Sequence, residues 1–209
     1  MPSLESRLLV ITDRRQTNGR PLLSVVSQAL RAGARAIQLR ERDLPARELL
    51  SLARELHTMA VPGGSQLLIN DRLDVALALN GVGVHLRSDS LPLSLTRRLL
   101  GSERLLGISA HSVNEAVEAE QQGADYVVLG PVYTTPSKEV YGPPIGLRTI
   151  EEACRLVKIP ILGIGGITAA GAYDVCRAGA FGVAVITAVL AADDVESATR
   201  ALLGAVESS

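Results

Sequence analysis

Residues 123–130 read Gly-Ala-Asp-Tyr-Val-Val-Leu-Gly, and this stretch indicates how the chain folds. The glycine at its start suits the end of a helix, because glycine readily adopts the left-handed backbone that closes many helices. The run Tyr126–Gly130 is apolar at consecutive positions rather than at alternate ones. Continuous apolarity is typical of a strand buried on both faces, as in a parallel sheet covered by helices.

The same succession of helix end, glycine and apolar run recurs along the chain. Gly33 and Gly179 also stand shortly before such runs. The amphipathic segments between runs predict helices, among them Pro45–His57, Val113–Gln122, Leu147–Val157 and Val195–Ala205. The predicted strands are Leu8–Thr12, Ala36–Arg40, Gln66–Asn70, Gly83–Leu86, Leu105–Ser109, Tyr126–Gly130, Pro160–Gly165 and Gly182–Thr187.

Eight strand–helix units in 209 residues favour an α/β protein, a single (β/α)8 TIM barrel that spans residues 1–209 as one domain. The main alternative is an open, doubly wound sheet. Such a sheet would carry a glycine-rich fingerprint after its first strand, where residues 12–15 here read Thr-Asp-Arg-Arg.

The composition argues against several classes of partner. The formal net charge is −1, so no general attraction to nucleic acid or anionic lipid is expected. No uncharged apolar stretch reaches the ~18 residues of a membrane span, and the N-terminus lacks the pattern of a secretory signal. Cys154 and Cys176 lie outside any metal-binding spacing, which predicts reduced structural thiols on helices. We therefore expect a cytoplasmic protein that binds neither nucleic acid nor membrane.

One phosphate site is expected where the last two strands end, because active-site groups of this fold follow the carboxyl ends of the strands. Gly165-Gly166 and Ile186-Thr187 suit an anion held by backbone N–H groups. Thr135 and Ser137 can donate hydroxyl hydrogen bonds to it. They belong to Pro131–Gly146, a long loop that reads as a lid or binding loop. The simpler interpretation of the two glycines is a tight turn.

A second cluster suits a more highly charged anion. It combines three cations with an amide and a carboxylate: Arg40, Arg42, Lys138, Asn70 and Asp71. A divalent ion shared between Asp71 and pyrophosphate oxygens is a usual Mg²⁺ arrangement. The alternative for the two arginines is a pair of solvated charges at the rim.

The three histidines differ in their expected roles. His57 lies on a predicted helix and reads as a surface or packing residue. His85 lies inside the fourth strand and reads as a hydrogen-bonded barrel residue. His111 follows the fifth strand, where a general acid or base can act. The sequence shows no zinc-ligand spacing and no nucleophilic triad.

Together, seven strings resemble the thiamin phosphate synthase and TenI thiazole tautomerase superfamily. They cover nearly the whole chain, in the family's order and spacing. The strings are QLRERD (38–43), INDRLDVAL (69–77), GVHL (83–86), GISAHS (107–112), GADYVVLGPVYTTPSK (123–138), GIGGIT (163–168) and GVAVIT (182–187).

The resemblance implies a synthase that joins hydroxymethylpyrimidine pyrophosphate to thiazole phosphate by a dissociative, Mg²⁺-assisted reaction that releases pyrophosphate. It places Gln38 at the pyrimidine, Ser109 beside the reacting centre and Asp71 on Mg²⁺. The pyrophosphate would be held by Arg40, Arg42, Asn70 and Lys138. The thiazole phosphate would be held by Thr135, Ser137, Gly166, Ile186 and Thr187. The groups expected to act in catalysis are Arg40, Lys138, Ser109 and His111.

One departure from the family pattern concerns the metal. The synthase usually has a second Asp ligand where this sequence has Ser90. Asp89 lies one residue earlier and would have to supply the second carboxylate. A hydroxyl in place of a carboxylate weakens a Mg²⁺ site, because hard cations favour charged oxygen. Arg42 and Ser137 replace the usual Lys and Thr while keeping the charge and the hydroxyl.

Two other functions stay open from the sequence. A TenI-type tautomerase would aromatise a carboxythiazole phosphate without metal, with His111 as acid and base, and residues 88–92 and 140–147 resemble that branch. A barrel that binds a phosphate ligand without turnover is the third possibility. The synthase is favoured, because a tautomerase has little use for the whole pyrophosphate cluster. A homo-oligomer is compatible with all three.

Overall fold

The computed structural model describes residues 2–135 and 143–209. The described strands are β1 (Leu8–Ile11), β2 (Ala36–Leu39), β3 (Gln66–Asn70), β4 (Gly83–Leu86), β5 (Leu106–Ala110), β6 (Tyr126–Leu129), β7 (Ile161–Ile164) and β8 (Gly182–Val185). The described α-helices are α1 (Leu22–Arg31), α2 (Ala46–Ala60), α3 (Leu73–Leu77), α4 (Leu93–Leu100), α5 (Val113–Gln121), α6 (Gly146–Leu156), α7 (Ala169–Arg177), α8 (Thr187–Leu190) and α9 (Val195–Glu207).

The eight strands form one closed barrel in chain order, and every neighbouring pair is parallel. Pairing of β8 with β1 closes the sheet. The predicted (β/α)8 TIM barrel is therefore confirmed, and the open sheet is excluded. The predicted strands agree with the observed ones to within one or two residues at each end. Gly33, Gly123 and Gly179 have the positive φ expected after a helix.

The continuous apolar runs arise because the two faces of each strand meet different apolar layers. In β6, Val127 and Leu129 belong to the layer between the barrel and the helices. Tyr126 and Val128 belong to a separate cluster with inward residues of other strands, such as Leu68. Burial on both faces removes the alternation that marks a half-exposed strand.

Three residues that are aligned on neighbouring strands of the barrel can pack together only because one of them is a glycine. The strand register aligns His85 of β4 with Gly107 of β5, and Gly107 with Tyr126 of β6. A Cβ atom on Gly107 would lie 2.1 Å from Cζ of Tyr126. The phenol ring thus occupies the space above Gly107, and its hydroxyl lies 2.9 Å from Nδ1 of His85. Glycine at position 107 allows these two large side chains to meet.

The two cysteines lie on helices outside the barrel mouth. Cys154 on α6 and Cys176 on α7 are both free thiols. Burial raises the pKa of the Cys154 thiol to about 11, which keeps it protonated and unreactive at neutral pH. Within residues 2–135 and 143–209, no helix has the length and apolar character needed to cross a membrane.

The substitution Gly107→Ala tests the packing of the Tyr126 ring against Gly107. We expect the free energy of unfolding to fall by about 3 kcal/mol, because the Cβ must displace the ring of a fully buried tyrosine. Gly204→Ala is the matched control, since Gly204 lies in α9 with no atom within 4 Å of the added Cβ. Removing a helical glycine there should stabilise the protein by up to about 1 kcal/mol. Equal small effects in urea unfolding would contradict this role of Gly107.

Candidate active site

The floor of the barrel mouth contains a buried amide pair. Gln38 follows the inward position Ala36 on β2, and its Nε2 donates to Oδ1 of Asn70 at the end of β3, at 3.1 Å. Both side chains are buried. The other amide atom, Oε1 of Gln38, is buried and has no hydrogen-bond partner among the described residues. A buried, unpaired acceptor is costly, so it suits a ligand that brings an N–H donor.

A hydrogen-bonded chain lies beside this pair. Nε2 of His85 is 2.9 Å from Oγ of Ser109, and Nδ1 of His85 is 2.9 Å from the hydroxyl of Tyr126. Burial, with a smaller contribution from the charge of Arg40, lowers the pKa of His85 to about 3. Burial also raises the pKa of Tyr126 far above its usual value. The chain is therefore uncharged at neutral pH, and His85 is a hydrogen-bonded barrel residue, as expected from the sequence.

Three arginines gather above this floor. Arg40 is fixed by its backbone N–H, which donates to Oγ1 of Thr12 at 2.9 Å, and its Nη1 lies 3.8 Å from Asp13. Burial lowers the pKa of Arg40, and the charges of Arg42 and Arg87 lower it further, partly offset by carboxylates. The guanidinium groups therefore repel one another. An anion at this position would relieve that repulsion.

The loop that carries Arg40 and Arg42 is held by Glu41. This buried carboxylate accepts a hydrogen bond from the Thr12 hydroxyl at 2.8 Å and from the backbone N–H of Arg14 at 3.1 Å. Arg42 is exposed and lines the same cavity as Asn70. The backbone that carries Arg40 and Arg42 is thus tied to the residues after β1, whereas the Arg42 side chain itself is exposed.

Arg87 is a site residue that the sequence analysis did not identify. It follows His85 by two positions at the end of β4, which places both residues on the inward face. Its Nη2 lies 3.4 Å from Oδ2 of Asp71 and 3.2 Å from Oδ1 of Asp89. The signal that could have found it is this strand alternation, continued one step past the end of the strand.

The predicted metal ligands fit Mg²⁺ only in part. Asp71 has a positive φ of 65°, and its carboxylate reaches the cavity that Arg42 and Arg87 line. Asp89 is 68% exposed in its side chain and pairs with Arg87. The hydroxyl of Ser90 accepts a hydrogen bond from the backbone N–H of Arg87 at 2.8 Å. Within the described part of the chain, no three His, Cys, Asp or Glu side chains form a group able to hold a metal ion.

The residues predicted to bind a phosphate lie on the opposite side of the barrel mouth. The chain after β6 runs along the end of β7, where the Tyr133 N–H donates to the Gly165 carbonyl at 3.0 Å. A Cβ on Gly166, whose φ is 65°, would lie 2.7 Å from the Thr134 carbonyl oxygen. The glycines thus let the loop containing Thr135 approach β7 closely. Ser137 and Lys138 lie outside the described residues.

Ile186 and Thr187 stand on the neighbouring strand end. Ile186 follows β8 directly, and Thr187 is the first residue of the four-residue helix α8 and is exposed. Pairing of β7 with β8 brings this corner next to the glycine turn. Every described member of the predicted phosphate site is therefore on two adjacent strand ends or on the loop beside them.

His111 lies just beyond β5 with a defined ring orientation. Its Nδ1 is 2.7 Å from the carbonyl oxygen of Gly130, and its backbone N–H donates to Glu115. A carbonyl only accepts, so Nδ1 of His111 donates this hydrogen bond. Nε2 is then the ring nitrogen at which any proton exchange would have to take place.

The sequence is similar to those of known proteins over nearly its whole length. Residues 8–189 match the family model described as thiamine monophosphate synthase. This chain belongs to that family. It is 50% identical over 201 residues to the thiamine-phosphate synthase of Roseiflexus castenholzii, covering 96% of this chain and 88% of the relative. It is 47% identical to the thiamine-phosphate synthase of Moorella thermoacetica, with 93% of each chain covered.

A solved structure of the family has the same fold. The thiamine phosphate pyrophosphorylase from Pyrococcus furiosus superposes with a TM-score of 0.88 at 37% identity, and 97% of this chain and 96% of that one are covered. The resemblance inferred from the seven strings is therefore confirmed. Family membership says nothing by itself about which residues act, so the roles of individual residues stay predictions.

His85→Gln tests the uncharged floor. Because the pKa of His85 is lowered on folding, its contribution to stability is complete above pH 6.5 and is lost as the pH falls toward about 3. We expect the difference in unfolding free energy between wild type and variant to shrink by about 2 kcal/mol between pH 7 and pH 5. The measurement is urea unfolding at both pH values. A difference that does not change with pH would show that His85 titrates normally.

Proposed function

We propose that this chain is a transferase that joins hydroxymethylpyrimidine pyrophosphate to thiazole phosphate, giving thiamin phosphate and pyrophosphate. The observation that carries the proposal is the convergence of Arg40, Arg42 and Arg87 above a buried, uncharged floor. Relatives of about half identity that are named thiamine-phosphate synthase support it. A phosphate-only ligand would not need three guanidinium groups.

The floor suits the pyrimidine half of the reaction. The unpaired Oε1 of Gln38 can accept a hydrogen bond from an exocyclic amino group of the ring. Ser109, whose hydroxyl is 2.9 Å from Nε2 of His85, would lie beside the reacting carbon. Because His85 is neutral, no positive charge of the protein lies directly under a carbon that becomes cationic when the leaving group departs.

The arginines act on the leaving group. As the carbon–oxygen bond breaks, its electron pair moves to the pyrophosphate, whose negative charge increases. Arg40 and Arg42 stabilise that charge, and Asn70 can donate from its amide nitrogen while its Oδ1 is held by Gln38. Lys138 would add a fourth cation from the loop after β6. The thiazole nitrogen then forms the new bond to the carbon.

The phosphate of the thiazole would bind on the far side of the mouth. Its partners would be Thr135, Ser137, Gly166, Ile186 and Thr187. In the ring of strands, β7 is separated from β3 by three strands on either side, and β8 is separated from it by β1 and β2. The two anions would therefore approach from opposite sides, which leaves the reacting atoms above Ser109.

Mg²⁺ would bind in this proposal through Asp71, and it would supply further charge neutralisation at the pyrophosphate. Asp89 would have to leave Arg87 to become a second ligand. Since the described side chains provide one well-placed carboxylate, pyrophosphate oxygens would have to complete the coordination.

A tautomerase is the second candidate, and the orientation of His111 favours it. With Nδ1 bonded to the Gly130 carbonyl, Nε2 is the ring nitrogen that would take up and release a proton of a carboxythiazole phosphate. Such a reaction would use the same phosphate site and neither metal nor arginine cluster. A barrel that only binds a phosphate ligand would show neither activity.

Arg40→Ala separates the transferase from the other two functions. We expect kcat for coupling to fall by a factor of about 10² or more, because the group acts on charge that develops in the transition state. Release of pyrophosphate is measured together with formation of thiamin phosphate, and Arg200→Ala on the surface of α9 is the control. Near-normal coupling in Arg40→Ala would refute the role of Arg40 on the leaving group, and no coupling by the wild type would refute the transferase proposal.

His111→Ala tests the tautomerase directly. If the chain is a transferase only, the wild type and this variant should both lack tautomerisation, followed as the absorbance change on aromatisation of the carboxythiazole phosphate. A wild-type tautomerisation rate that the variant abolishes, in a chain that never couples, would establish the second candidate. Ser90→Asp adds a check, since it should lower the Mg²⁺ concentration needed for coupling and should create no coupling in a tautomerase.

A further inference from the structure

Arg87 contacts the oxygen atoms that would coordinate a metal ion at this site. Its Nη2 contacts the carboxylates of Asp71 and Asp89, and its backbone N–H is bonded to Ser90. All three groups considered as metal ligands are thus engaged by a single residue of the protein. A cation at two carboxylates competes with any free divalent ion for them.

The hold of Arg87 on these carboxylates is loose. The two N···O distances, 3.4 and 3.2 Å, exceed the 2.7–2.9 Å typical of charge-assisted hydrogen bonds. Its Nε is buried and has no hydrogen-bond partner in the described chain. A guanidinium with an unused buried donor and two long contacts retains capacity for another anion.

Arg87 also belongs to the arginine cluster. Its charge is one of those that lower the pKa of Arg40, which places it near the expected pyrophosphate position. A guanidinium can contact two phosphate oxygens through its fork of donors, and a diphosphate carries more charge than the two carboxylates. A diphosphate bound at this position would therefore compete with the two carboxylates for Arg87.

We propose that Arg87 is a resident cation that keeps free divalent metal away from Asp71 and Asp89 until a diphosphate-bearing substrate draws the guanidinium onto its own oxygens. The metal would then enter with or after the diphosphate, at carboxylates that Arg87 has released. This inference deepens the proposed function and rests on it, because it takes the arginine cluster as the diphosphate site. In this proposal Arg87, at the end of β4, determines that the diphosphate binds before or together with the metal.

Two titrations without turnover test the proposal. The first measures binding of Mn²⁺ alone to the full chain by electron paramagnetic resonance. The second measures binding of inorganic pyrophosphate in EDTA by calorimetry. Arg87→Gln should bind free Mn²⁺ about tenfold more tightly than wild type and pyrophosphate about tenfold more weakly, a change of about 1.4 kcal/mol in each case.

Controls assign these shifts to the carboxylates. Arg200→Gln removes an equal charge from an ion pair on α9 and should change neither affinity. The gain in Mn²⁺ affinity should disappear in the double variant Arg87→Gln/Asp71→Asn. If Arg87→Gln does not fold, Arg87→Lys decides, since it keeps one charge without the fork and should lower pyrophosphate affinity several-fold.

Unchanged pyrophosphate affinity in Arg87→Gln, or unchanged or weaker Mn²⁺ binding, would overturn the proposal. Neither titration measures the coupling reaction. A chain that couples without these shifts refutes the role of Arg87 alone, and a chain that shows the shifts without coupling refutes the transferase alone.

Discussion

The contact between the ring of Tyr126 and the bare backbone of Gly107 is the constraint on which the site depends. It lets a tyrosine and a histidine meet inside a barrel whose inner apolar cluster is mostly aliphatic. Their hydrogen bond fixes the imidazole, and the imidazole fixes Ser109. The polar mouth of the barrel therefore rests on an uncharged layer whose geometry is set by packing. Charged groups begin only above it.

Above that layer the protein concentrates like charges. Arg40 is partly buried beside two other arginines, an arrangement that costs free energy until an anion is present. The folding free energy of the barrel offsets this repulsion, because the strand ends and the contacts of Glu41 hold the arginines in place. Stored electrostatic repulsion of this kind is expected at sites built to bind a polyanion and to stabilise its departure.

The barrel and much of the site could be predicted from the sequence, because both depend on local pattern. Buried strands read as continuous apolar runs, and the carboxyl ends of parallel strands meet at one end of the barrel. That rule was enough to place Arg40, Asn70 and Gly166 at the mouth. The reading of His85 as a hydrogen-bonded barrel residue followed from its position within a strand.

What escaped prediction depends on contacts between segments distant in sequence. In the segment after β4, the family pattern directs attention to Ser90, where a carboxylate is missing. The cation that the same segment adds, Arg87, has no counterpart in that pattern. Whether Arg87 reaches Asp71 depends on the backbone of Asp71, whose positive φ no pattern indicates. The proton on Nδ1 of His111 likewise depends on a carbonyl 19 residues away.

In the proposed reaction, two anions bind on opposite sides of one barrel mouth, with Ser109 between them. A crystal structure of this chain with pyrophosphate and thiazole phosphate tests this arrangement. We expect pyrophosphate among Arg40, Arg42 and Arg87, and the thiazole phosphate at Gly166 and Thr187. Both anions on one side of the mouth, or pyrophosphate away from the three arginines, would contradict this arrangement.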